Sequence, residues 1–81
     1  MNENVVEAKI FPNPTNGNLT IEAKEITGIK VVDALGQILA AQEYGKENHV
    51  SLNLSSLKSA LYLLEIKTTM GKTVKQVSVN R

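Results

Sequence analysis

Phe11-Pro12-Asn13-Pro14-Thr15-Asn16-Gly17, followed directly by Asn18-Leu19-Thr20-Ile21-Glu22-Ala23, is the stretch from which the rest of the chain is read. Both prolines fix φ near about −65° and lack an N–H. Each also drives the residue before it, Phe11 or Asn13, out of the α region. The expected path is extended and polyproline-like, with Asn16-Gly17 supplying the positive φ angles of a primed two-residue turn. The hexamer that follows alternates polar and apolar residues, the period of a half-buried strand. The stretch therefore reads as a rigid corner between two strands.

Working outward, the same period recurs. Asn16-Gly17, Thr27-Gly28, Leu35-Gly36, Tyr44-Gly45 and Met70-Gly71 each interrupt an apolar segment, and Ser55-Ser56 fills the long gap. Such spacing suits short strands in a sandwich or barrel. No segment carries a helical stripe, and Val, Ile and Thr are plentiful between the breaks. One strand has Val6, Ala8 and Ile10 on a common face. Others place Leu19, Ile21 and Ala23, then Ile29 and Val31, then Val50, Leu52 and Leu54, then Tyr62, Leu64 and Ile66 inward. Gln37–Gln42 is too uniformly apolar for a face to be assigned. In the last segment Val77 and Val79 share a phase that Val74 breaks, so Val74 either faces out or marks a bulge. Asp33-Ala34-Leu35-Gly36 has the Asp and Gly of a type I turn, and Met70-Gly71 repeats the offset. The fold expected is all-β, a seven-stranded antiparallel β-sandwich, Ig-like, in two packed sheets.

Bulk properties bound the function. The 81 residues make one domain. A chain this short buries only about 60% of its unfolded surface, so its stability is modest. The core is aliphatic, because Phe11, Tyr44 and Tyr62 are the only aromatics. Without Cys there is no disulfide, thiolate nucleophile or Cys-ligated zinc. No apolar run approaches the ~20 residues that span a membrane, and the polar start Met1-Asn2-Glu3-Asn4 is not a secretory signal peptide. The net charge of +1 is unevenly spread: residues 1–50 hold four Lys and seven acids, residues 51–81 four Lys and Arg81 against Glu65 alone. A basic face for a partner is one reading; Lys guarding an edge strand against aggregation is the other.

Catalytic chemistry finds no constellation. A triad needs a nucleophile, a base and an orienting acid, and His49, the one His, sits on the polar phase of its strand. Asp33 and the Glu residues show no metal-ligand spacing. The glycines are isolated turn formers without a phosphate cradle, and the basic third lacks the exposed aromatics of a nucleic-acid surface. Asn18-Leu19-Thr20 and Asn53-Leu54-Ser55 match the glycosylation acceptor pattern, which is short enough to arise by chance. No enzyme activity, cofactor, metal, small-molecule substrate or nucleic acid is expected.

Five pieces nevertheless stand in a telling order. They are Ile10-Phe11-Pro12-Asn13-Pro14 with Gly17; Ile29-Lys30-Val31-Val32-Asp33 with Gly36; Val50-Ser51-Leu52-Asn53-Leu54-Ser55-Ser56-Leu57; Leu61-Tyr62-Leu63-Leu64-Glu65-Ile66; and Gly71-Lys72 with a basic end at Arg81. This order resembles the type A C-terminal sorting domain of the type IX secretion system of Bacteroidetes, over residues 9–81. In one departure, Ala60 precedes the Tyr62 strand where the family pattern has Gly.

The resemblance implies a C-terminal secretion signal on a larger cargo protein. Residues 1–8 would then be a linker remnant from the cargo side and residues 9–81 the sorting domain. Its implied partners are the outer-membrane translocon, its shuttle proteins and a surface sortase that removes the domain. The cargo would pass the periplasm and end at the cell surface or in the medium. The residues it marks for translocon recognition are Pro12, Asn13, Pro14 and Gly17 in the corner and Lys72, Lys75 and Arg81 in the terminal hairpin. That last strand is expected to be exposed, with unpaired edge groups that a partner can extend. The competing reading is a structural or adhesive β-sandwich module of a larger surface protein.

Overall fold

The structure, a computed structural model, describes residues 6–80. It contains five strands and no helix: β1 (Ala8–Phe11), β2 (Asn18–Val32), β3 (Ile38–Asn53), β4 (Ala60–Thr68) and β5 (Gly71–Val79). Every strand pair is antiparallel. β3 runs along one edge of β2 for its whole length. On the other edge β1 covers residues 20–23 of β2 and β4 covers residues 26–32, with β5 outside β4. The sheet curls into a half-barrel rather than splitting into the two separate layers of a seven-stranded Ig-like sandwich.

Seven expected strands become five because two glycine breaks lie inside continuous strands. β2 spans 15 residues across Thr27-Gly28, and β3 spans 16 residues across Tyr44-Gly45. The register shows how. Glu22 pairs with His49, Ile26 with Glu47 and Gly28 with Glu43. Residues 23–25 of β2 thus face Asn48 alone, and residues 44–46 of β3 face Thr27 alone. Two opposed bulges cancel, and the ladder resumes in its first register. Each bulge holds a residue in the left-handed region, Glu25 at φ 53° and Lys46 at φ 64°. The Asn48 side chain accepts the Glu25 N–H at 3.0 Å, and the Glu25 carbonyl accepts from Thr69 at 3.2 Å.

The bulges also shift the inward phase. Leu19 and Ile21 are buried before them, Ile26 between them, and Ile29 and Val31 after them. A strict period of two from Ile21 passes over Ile26, which is fully buried. Val50 on β3, Leu54 just after it, Tyr62, Leu64 and Ile66 on β4 and Val77 and Val79 on β5 complete this core, with Ala8, Ile10, Leu52 and Leu57 among the residues packed against it. The β4–β5 ladder runs unbroken from Ala60–Val79 to Thr68–Gly71, so Val74 faces solvent without a bulge. The unassigned Gln37–Gln42 segment lies on the free edge of β3, with Ile38 and Leu39 exposed.

The two Gly-ended hairpins differ. At the β2–β3 turn the Gly36 N–H donates to the Asp33 carbonyl at 3.0 Å. Asp33 Oδ1 accepts the N–H groups of Leu35 and Gln37, each at 2.9 Å. Gly36 has φ 86° and open space where a Cβ would stand. Gly36→Val should therefore cost only left-handed strain, about 1–2 kcal/mol, read as a lower urea midpoint. At the β4–β5 turn Thr68 and Gly71 pair across the two residues Thr69 and Met70, and Gly71 has φ 142°.

Candidate functional site

The corner sits at the start of β2 but is tied to the end of β5. Phe11-Pro12 and Asn13-Pro14 are cis peptide bonds. The expected primed turn is not formed, because Gly17 has φ 142° but Asn16 does not enter the left-handed region. Thr15 takes the organising role instead. It is buried, its hydroxyl donates to the Asn18 carbonyl, and its Oγ1 accepts the Gly17 N–H at 3.0 Å. A Thr two residues before a Gly is an ST-turn pattern, the signal that could have found it in the sequence.

Four hydrogen bonds join this corner to β5. The Asn13 amide is used twice, Nδ2 donating to the Gln76 carbonyl at 3.1 Å and Oδ1 accepting the Ser78 N–H at 3.0 Å. The Thr15 backbone continues the pattern. Its N–H donates to the Ser78 carbonyl and its carbonyl accepts the Asn80 N–H, both at 2.8 Å. Thr15 and Val79 thereby form a parallel bridge. One side-chain amide and the backbone N–H and C=O of one residue thus imitate a short strand on the outer edge of β5.

A third segment closes the same region. The Gly17 carbonyl accepts the Leu54 N–H at 2.6 Å, and a Cβ on Gly17 would lie 3.2 Å from Ser55 Cβ. Asn53 Oδ1 accepts the Ser55 N–H at 2.9 Å, fixing the turn that presses on Gly17. Beyond it the Tyr62 hydroxyl donates to the Lys58 carbonyl at 2.7 Å. The corner, the Leu-Ser-Ser-Leu turn and the last strand, far apart in sequence, are neighbours in space.

The marked residues divide accordingly. Pro12, Asn13 and Pro14 are exposed at the corner, and Gly17 is buried beneath it. Lys72 lies at the opposite end of β5, paired with Lys67 in the ladder, and its Nζ stands 3.4 Å from Glu65 Oε2. Lys75 is half-buried opposite Leu64. Arg81 lies outside the described residues. The expectation of a wholly open edge on the last strand needs correction. Asn13 and Thr15 occupy it over Gln76–Asn80, because a side-chain amide and the backbone N–H and C=O of Thr15 satisfy groups that an edge would otherwise leave to water. Sequence reasoning missed Gln76, Ser78 and Asn80, which contribute backbone groups and so leave no side-chain signature.

Ala60 opens β4 opposite Val79 and does not have positive φ. Ala60→Gly should thus destabilise the domain by about 0.5–1 kcal/mol, through the greater backbone freedom of Gly in the unfolded chain. A stabilised variant in thermal or urea unfolding would contradict this. His49 is exposed, with Nε2 3.1 Å from Glu22 Oε2 on the neighbouring strand.

A family model described as "Secretion system C-terminal sorting domain" matches residues 9–80, which takes in the corner, β1 from its second residue and the whole of β2 to β5. No curated protein matches the chain.

Proposed function

Because this chain belongs to the secretion-system C-terminal sorting domain family, we propose that it directs a cargo protein through the type IX outer-membrane translocon to the cell surface or medium. A surface sortase then removes it. The observation that carries this reading is the coincidence of family match and geometry. The match spans residues 9–80, and the corner near its start is hydrogen-bonded to Gln76, Ser78 and Asn80 near its end.

The role asks for a folded handle rather than a reaction. Such a handle offers a shape to the translocon and its shuttle proteins after crossing the periplasm, and it needs no catalytic group or cofactor. The corner and the end of β5 form that shape in this reading. Lys72 and Lys75 add a salt-sensitive attraction to an acidic receptor surface.

The test is a reporter with an N-terminal export signal and residues 4–81 at its C-terminus, expressed in a type IX-competent bacterium. The reporter is expected outside the cell, and in the periplasm when residues 73–81 are deleted. A folded, soluble fusion that stays in the periplasm would replace this reading with that of a structural or adhesive module.

A further inference from the structure

Among the described residues the last strand of the sheet has one strand neighbour, β4. Its outer groups are nonetheless engaged at one end. The Gln76 carbonyl, both Ser78 backbone groups and the Asn80 N–H are bonded by Asn13 and Thr15. In an antiparallel ladder alternate residues turn their backbone groups outward, so Lys72 and Val74 carry the same edge onward. Among the described residues no strand lies along them.

The occupant reveals what the edge accepts. It is a bent segment that pairs with β5 through one parallel bridge, at Thr15, and half of its contacts come from the Asn13 side-chain amide rather than from backbone. A continuous strand of another protein would match those groups with peptide units and reach on past Gln76 to Val74 and Lys72. Both contestants present N–H and C=O groups in the same direction, so the newcomer replaces what it removes and adds more.

On the reading of the domain as a secretion signal, we propose that the outer edge of β5 is a strand-accepting surface held closed by Asn13–Thr15. The export machinery engages it by displacing that segment with an extended strand parallel to β5. The domain therefore has a latched form, which hides the edge, and an unlatched form, which is read.

A covalent lock tests this. Adjacent strands lie about 4.8 Å apart, within the Cα separation that a disulfide spans, and Thr15 faces Val79 across the bridge. The chain has no native Cys to interfere. The reporter fusion carrying both Thr15→Cys and Val79→Cys is compared in its crosslinked state and in a strain without periplasmic thiol oxidation. Less export of the crosslinked form than of the same protein uncrosslinked is the expected result, whatever level the uncrosslinked variant reaches; equal export of the two overturns the proposal. Failure of the unaltered fusion to leave the periplasm would instead count against the secretion reading itself.

Amide exchange on the unaltered chain decides independently, and also covers a double variant that fails to fold. The Ser78 and Asn80 amides should exchange at least about tenfold faster than the core ladder amides of β4, as expected of a local opening. Asn13→Ala should speed Ser78 further while leaving the β4 amides unchanged. Equal protection of Ser78, Asn80 and the β4 core would mean that the corner opens only with the whole domain, and the latch would be refuted.

Discussion

Leu64→Ala should remove about 2–5 kcal/mol of folding stability. Leu64 is wholly buried in β4, between Val31 of β2 and Lys75 of β5 in the ladder. Truncating it loses the transfer free energy of the side chain and leaves a cavity that paired strands on both sides cannot close. A domain of this size has roughly 4–12 kcal/mol in all, so the variant forfeits a large share. A urea titration would show the midpoint falling with little change in slope. A loss below about 1 kcal/mol would mean that the sheet closes over the gap. Leu63→Ala, one residue away on the exposed phase, should change far less and serves as the comparison.

Gly17→Val should cost about 2–4 kcal/mol, more than the same change at Gly36. Two penalties act together at Gly17. Its φ of 142° lies where L side chains are strained. A Cβ there would also stand 3.2 Å from Ser55 Cβ and 3.3 Å from Ser55 Cα, a clash with a turn already held by Asn53. Gly36 meets only the first penalty, since nothing lies within 4 Å of its notional Cβ. Equal midpoint shifts for the two variants would show that the Ser55 turn yields freely.

These contrasts mark what could be read in advance. Alternation identified Leu19, Ile21, Val50, Tyr62, Leu64, Ile66, Val77 and Val79 as inward, because side-chain direction in a regular strand follows from position alone. It failed where the backbone left that regularity. Ile26 is buried because the Glu25 bulge shifts the phase, and that bulge depends on Asn48 and Thr69, contacts made only once the chain is folded. A glycine between apolar segments looks the same whether it ends a strand, as at Gly36, or sits within one, as at Gly28. The candidate site was legible as two separate motifs. Their union was not, because it consists mostly of backbone groups on β5 that any sequence would supply.

The parallel seating of Asn13–Thr15 against β5 bears on how the domain carries mechanical load. Suppose the chain before Asn13 is dragged one way and the chain after Asn80 the other. The two segments point in the same direction, so this tension slides one along the other and strains all four hydrogen bonds at once. A hairpin pulled at its open end gives way bond by bond; this junction must fail as a unit. Peeling the corner from one end meets its bonds in turn and needs far less force. A tether with these properties resists tension along the chain, yet yields to a force applied from the side.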